Sequence, residues 1–367
     1  MKASPDRNDL PLAGVRVIEF THMVMGPTCG MILADLGAEV IKVEPPGGDK
    51  TRKLPGLGIG FFRTFNRNKK SVVLDIHSRE GYAAALDLIG TCDVLIENFK
   101  VGGLARYGLD WPSLRARNPR LVYCSITGFG QTGPYRERAG YDVMIQAMGG
   151  LMAVTGTPEQ PMKVGVALCD VLTGMYATVA VLAALRHAER TGEGQHIDMA
   201  LLDVQVASLA NQALIYLVTG QGPPRLGNAH PNIVPYQSFA TADGHVIVAV
   251  GNDAQYRRFC EVLGQPELGT APRYATNAAR VESRDELVPR LAELLRARPS
   301  AYWLERLAAV GVPCGPINEL DQVFADPQVL ARGVRIELPH PTAGRVALVA
   351  SPMHLEATPP RYERPPP

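Results

Sequence analysis

The stretch VRVIEFTHMVMGPTCGMILADLGAEVIKVE (residues 15–44) decides the fold. VRVIEF (15–20) carries the β-branched, apolar character of a strand, and a Gly-Pro turn leads into the helical pattern TCGMILADLG. EVIKVE (39–44) then reads as a second strand. The same alternation continues outward through SVVLDI (71–76), helical REGYAAALDLIG, DVLIENF (93–99) and LVYCSITGFG (121–130). Strands that alternate with helices predict an α/β fold, a parallel sheet with helices on both faces.

Two long apolar helices are expected over Val171–Arg186 and Met199–Leu217, separated by the short strand GQHIDMA. The Pro- and Gly-rich stretch GQGPPRLGNAHPNIVP (220–235) reads as a linker. Beyond it, the strand HVIVAVG (245–251) and amphipathic helices around 253–263 and 284–310 form a smaller α+β unit over 236–330. The late strand VALVASPMHL (346–355) returns the chain to the first domain, so 331–367 completes a large domain begun by 1–219. The ending TPPRYERPPP is expected to be extended and poorly ordered.

Composition narrows the function classes. A net charge of +1 leaves no electrostatic footprint for nucleic acid or an anionic membrane. The six cysteines stand singly, with no Cys/His spacing for a metal and no disulfide framework. MKASPDRNDLPLAG lacks an apolar signal core, and the uncharged run Val171–Leu185 is short for a membrane span; both point to a cytoplasmic protein.

Several residues compete for a site. GLGIG (56–60) has no strand leading into it and the wrong spacing for a nucleotide loop, so it reads as a flexible loop. His22 lies at the carboxyl end of the first strand and Asn98 and Phe99 at the end of another, with Arg106 beyond; ligands of open α/β sheets bind at such ends. The cluster RTFNRNKK (63–70) is either a solvated basic turn or a grip on phosphate or carboxylate through Arg63 and Arg67. In VGVALCDVLTGMYA (164–177), Asp170 is the one charge in a long apolar run. As the N-cap of the following helix it would be held ionised by backbone N–H groups, and such a poorly hydrated carboxylate could also be a nucleophile. Both readings stand on the residues alone.

The segments LAGVRVIEFTHMVMGP, ILADLGAEVIKVEPPGGD, FFRTFNRNKKSVVLDI, DVLIENFKVGGLARYGL, AGYDVMIQAMGG and VALCDVLTGMYA, in this order, resemble the family III CoA-transferases. The resemblance spans nearly the whole chain. It implies a Rossmann-like large domain, a smaller inserted domain, an interlocked homodimer and no prosthetic group. It implies coenzyme A thioesters as substrates and Asp170 as a nucleophile that carries CoA as an aspartyl thioester. The family's CoA contacts fall on His22, Met23, Leu74, Ile76, Asn98, Phe99, Gly103 and Arg106, with Tyr141 beside them. Val24, Pro45, His77 and Ala139 stand where formyl-CoA transferase has Gln, Arg, Lys and Lys, which argues against formate and oxalate as substrates. A racemase or epimerase is the alternative enzyme, though Tyr141 stands where the related α-methylacyl-CoA racemases have His, which weighs against it; a non-catalytic CoA-binding protein is the alternative class. GNAHPNIVPYQSFATADG looks most like the branch acting on succinyl-CoA with glutarate or itaconate. A dicarboxylate needs its distal carboxylate paired, for which Arg63, Arg67, Asn228, His230 and Tyr236 are candidates.

Overall fold

Six parallel strands form the central sheet of the computed structural model, which describes residues 9–55 and 59–367: β1 (Arg16–Phe20), β2 (Glu39–Glu44), β3 (Lys70–Val73), β4 (Val94–Glu97), β5 (Val122–Thr127) and β6 (His196–Ala200). Their spatial order is β3-β2-β1-β4-β5-β6, with Ile18 opposite Ile41 on one side and Leu95 on the other. This is the doubly wound order, which reverses between β1 and β4 and opens a crevice at their carboxyl ends. The expected α/β, Rossmann-like class is therefore the observed one. The reading of the first eight residues lies outside the described residues, as does that of Gly56–Gly58 in the GLGIG loop. Where a continuing loop was expected, Ile59–Phe65 is a helix.

Because successive strand residues face opposite sides, the sheet has two cores. Val17, Val94, Ile96 and Val122 pack with Leu33 and Val181 on one face. Ile18, Leu95 and Tyr123 pack with Ile89 and Leu114 on the other. Near-continuous apolar strands are what burial on both faces demands.

The helix Leu168–Thr191 starts earlier and ends later than Val171–Arg186. Among the described residues it is the one single helix long and apolar enough to cross a membrane, yet it lies against the sheet and the helix Met25–Asp35. Gly174 permits that crossing: a Cβ there would stand 2.6 Å from Cβ of Thr28 and 2.7 Å from the Met25 carbonyl. The expected helix Met199–Leu217 is a correction. β6 runs to Ala200, and the helices Leu201–Ala207 and Asn211–Thr219 meet at 77° about Ala210, whose φ of 48° no helix can contain. Likewise 284–310 divides into Arg284–Arg296 and Ser300–Ala309, because Pro299 disfavours helix in the residue before it.

Arg67 and Lys69 of the basic cluster are buried structure, and Lys70 is an exposed partner of a strand carboxylate. Arg67 binds Asp35 at 2.5 Å and donates to the Val349 carbonyl at 2.8 Å. Lys69 donates to Glu19 at 2.8 Å, and Lys70 pairs with Glu39. Asn68 donates to the Arg361 carbonyl, while its oxygen accepts from the backbone of Glu363 and Arg364. The ending is thus no loose tail: Asn68 and the Arg67 guanidinium, over the Tyr362 ring, hold it against the first unit. The antiparallel pair β10 (Arg335–His340) and β11 (Gly344–Val349) precedes it.

The chain divides into two compact units, 1–152 with 163–222 and 327–367, and 153–162 with 223–326. Against the expected boundaries, 153–162 joins the smaller unit and 223–235 is part of that unit instead of a linker. Gly227 N–H donates to the Gly156 carbonyl at 2.8 Å, and Arg225 donates to that of Thr157 at 2.8 Å. This second unit has the antiparallel sheet β7 (Tyr236–Ala240), β8 (His245–Ala249), β9 (Cys314–Pro316) over a core that includes Val246, Val248, Phe259, Leu291 and Trp303.

Candidate active site

Asn98 closes the crevice floor at the sheet's switch point. Its side chain accepts from the His22 N–H at 3.0 Å and donates to the His22 carbonyl at 2.8 Å, tying the end of β4 to the end of β1. Glu97, buried beside it, accepts from the Phe99 N–H at 2.9 Å, and burial pushes its carboxyl up to about 7. Met23 turns the chain with φ of 64°, a left-handed conformation uncommon outside glycine, at the entry to the first helix. Burial lowers the His22 imidazole's proton affinity, with the Asp49 charge opposing and the Lys42 and Lys50 charges assisting.

Above this floor lies a cavity of about 650 Å³ within the first unit. His22, Met23, Asn98 and Phe99 line it at the switch point. Leu74 and Ile76, which follow β3, line its apolar wall. Gly103 and Arg106 come from the segment after β4, and Tyr141 and Asp170 complete the far side. All ten positions expected for CoA contact and catalysis therefore face one cavity. It also admits cations that sequence reasoning missed: Lys50, Lys100, Arg136 and Arg138. Arg138 stacks on Tyr135 at 4.0 Å. The loop that brings it in rests on a backbone contact, since a Cβ on Gly140 would lie 2.4 Å from Cα of Gly128. Spacing alone offered no signal for these cations; only the loop's return to the cavity reveals them.

The substrate-binding candidates divide. Arg67 is a correction, buried and committed to Asp35. Arg63 is half-buried on its short helix and does not line the cavity. Asn228, His230 and Tyr236 belong to the second unit. There Asn228 donates to Ser238 at 3.0 Å, and the His230 and Tyr236 rings stand 5.2 Å apart. No group of three or more metal-ligating side chains occurs among the described residues.

Asp170 is not the helix N-cap. The helix begins at Leu168 after Ala167, so Asp170 sits within the first turn. The cap comes from a distance: Asp142 Oδ1 accepts from the N–H groups of Cys169 at 2.9 Å and Asp170 at 3.3 Å. The donors expected to hold Asp170 ionised thus serve another carboxylate. Burial, and then the Asp142 charge, push the Asp170 carboxyl up to about 7. A carboxylate so placed is basic, poorly hydrated and open to the cavity, the properties of a nucleophile.

The chain matches CoA-transferase family III over residues 12–367. It is 50% identical over 379 residues to succinate–glutarate CoA-transferase of Agrobacterium fabrum, covering 100% of this chain and 94% of that protein. Human succinyl-CoA:glutarate CoA-transferase is 42% identical over 370 residues, covering 99% and 84%. Among solved structures, a CaiB/BaiF family protein from Brucella suis superimposes with a TM-score of 0.89 at 46% identity, covering 98% and 96% of the two chains.

Proposed function

Because the chain belongs to CoA-transferase family III, and so is an enzyme that takes CoA thioesters as substrates, we propose that it moves CoA from succinyl-CoA to a short dicarboxylate, glutarate foremost, through Asp170. The two relatives named for succinate or succinyl-CoA with glutarate support the acid pair. The observation that carries the mechanism is the Asp170 carboxyl, with no hydrogen-bond partner among the described residues, facing the cavity that the ten expected positions line.

The relay needs no energy beyond the thioester. The Asp170 carboxylate adds to the thioester carbonyl, the C–S bond breaks, and CoA leaves as thiolate with an acyl–aspartyl anhydride behind it. The thiolate attacks the aspartyl carbonyl and expels succinate, which leaves an aspartyl-CoA thioester. The acceptor carboxylate attacks that thioester, and the released thiolate captures the acceptor's acyl group from the second anhydride, restoring Asp170. Each step exchanges one acyl bond for another of similar energy. His22, Asn98 and Phe99 hold the thioester end of CoA at the switch point, while Lys50, Lys100, Arg106 and Arg138 suit its phosphates.

A second copy of the chain fits the exposed apolar side chains Met175, Tyr176 and Val179 of the long helix and Leu214, Leu217 and Val218 of Asn211–Thr219. Incubation of succinyl-CoA with glutarate, itaconate, mesaconate and oxalate, read by mass spectrometry of the CoA esters, tests the acids. Glutaryl-CoA should form fastest. Hydroxylamine or borohydride trapping during turnover should mark Asp170; solvent deuterium entering the α-carbon without any acceptor would point to the racemase instead.

A further inference from the structure

The turn that carries Asp170 is held from outside its own helix. One carboxylate oxygen of Asp142 takes the two N–H groups at the helix start, and the other accepts from Gln146 Nε2 at 2.7 Å. Gln146 is wholly buried, and its own oxygen accepts from the Val164 N–H at 2.9 Å, bracing the segment that leads into the turn. The first N–H groups of a helix have no partner within it, and the methyl of Ala167 offers no acceptor. Asp142 therefore fastens the start of Asp142–Met148 to the start of Leu168–Thr191, with its charge set beside Asp170.

The other ionisable groups on the packed elements are placed differently. Asp35 of the first helix is tied to Arg67, and His196 and Asp198 stand on β6. Asp203 lies on Leu201–Ala207, and Arg186, His187, Glu189 and Arg190 are at the far end of the long helix, about 24–30 Å along its axis from Asp170. His22, Lys50, Lys100, Arg106, Arg136, Arg138 and Tyr141 line the cavity. After burial, the Asp142 charge is what bears on the Asp170 carboxyl.

We propose that Asp142 is a positioning residue for the covalent relay: it fixes the turn bearing Asp170 and sets a negative charge beside the Asp170 carboxylate. The inference rests on Asp170 as nucleophile. Its consequence lies in how the anhydride divides. Thiolate attack on the aspartyl carbonyl expels the substrate acid, whereas attack on the substrate carbonyl expels Asp170. The weaker base leaves faster, so a basic Asp170 sends either anhydride toward the enzyme thioester: forward in the half-reaction that loads CoA from the donor, and back in the half-reaction that delivers it to the acceptor.

Asp142→Asn removes the charge and keeps an oxygen to accept the two N–H groups. The acid limb of its kcat/KM profile should move down by on the order of one pH unit, with the plateau above pH 8 lowered. Carbodiimide labelling of Asp170 across pH, read by peptide mass spectrometry, should move by the same amount, and this readout does not depend on turnover. Asp142→Ser, whose hydroxyl still accepts, repeats the measurement if the Asn variant folds poorly. Unmoved labelling and kinetic profiles, in protein that melts cooperatively and binds CoA, would overturn the proposal. A wild-type enzyme with no trappable adduct on Asp170 would overturn the relay beneath it, and the labelling profiles would still judge whether Asp142 acts on Asp170.

Discussion

Replacing Asp170 by Asn should destroy transfer and make the protein more stable. The folded carboxyl holds its proton from the usual 3.8 up to about 7, with no hydrogen bond from the described residues to offset the cost of ionising it. That rise spans about three pH decades at about 1.36 kcal/mol each, an upper limit of about 4 kcal/mol lost by the wild type at pH 8. The carboxyl opens on the cavity, and solvent screening on that side brings the expected gain to roughly 2 kcal/mol. The sign follows from the raised value: wild-type stability is whole below about pH 4 and falls as pH climbs through 7, whereas the amide does not titrate. Melts from pH 4.5 to 8.5 should therefore nearly converge at the acid end and separate by about 4 °C at the alkaline end. A gap that stays constant with pH, or a variant less stable than wild type at pH 8, would refute the claim that Asp170 is kept ready at a cost to the fold.

Arg67→Ala should destabilise by about 3–5 kcal/mol through the orphaned Asp35, seen as a lower urea midpoint, while KM for glutarate in the folded fraction stays unchanged. Asn98→Ala removes both bonds to the His22 backbone. At about 2 kcal/mol it should raise KM for succinyl-CoA about 30-fold in steady-state assays. Gly140→Ala forces its Cβ against Gly128; it should cost about 1–3 kcal/mol in melts and lower kcat/KM more than stability alone explains.

Short-range pattern made the βαβ unit legible: β2 falls on the expected residues 39–44, and β1 and β4 begin one residue late. Long-range pairing was invisible. The cations of 63–70 looked free because their carboxylates lie 32, 50 and 31 residues away, at Asp35, Glu19 and Glu39. The cap of the Asp170 helix was misassigned for the same reason. Asp is a good cap in sequence, but the carboxylate that caps it is Asp142, 27 residues before Cys169. Spacing on its own could not have gathered the ten cavity positions, which come from separate strand ends, and the family resemblance supplied them.

The ties from Asn68 and Arg67 to Val349, Arg361, Glu363 and Arg364 also set an order of assembly during synthesis. The second unit has every one of its residues once position 326 has left the ribosome. The first unit begins the chain yet must wait, with Asn68 and the Arg67–Asp35 pair beside β3 incompletely covered, until the segment around residue 364 emerges. Domains that form N-terminal first are the usual pattern. Here the later segment can finish folding while the earlier one remains a nascent sheet, exposed to chaperones and to pairing along its β3 edge.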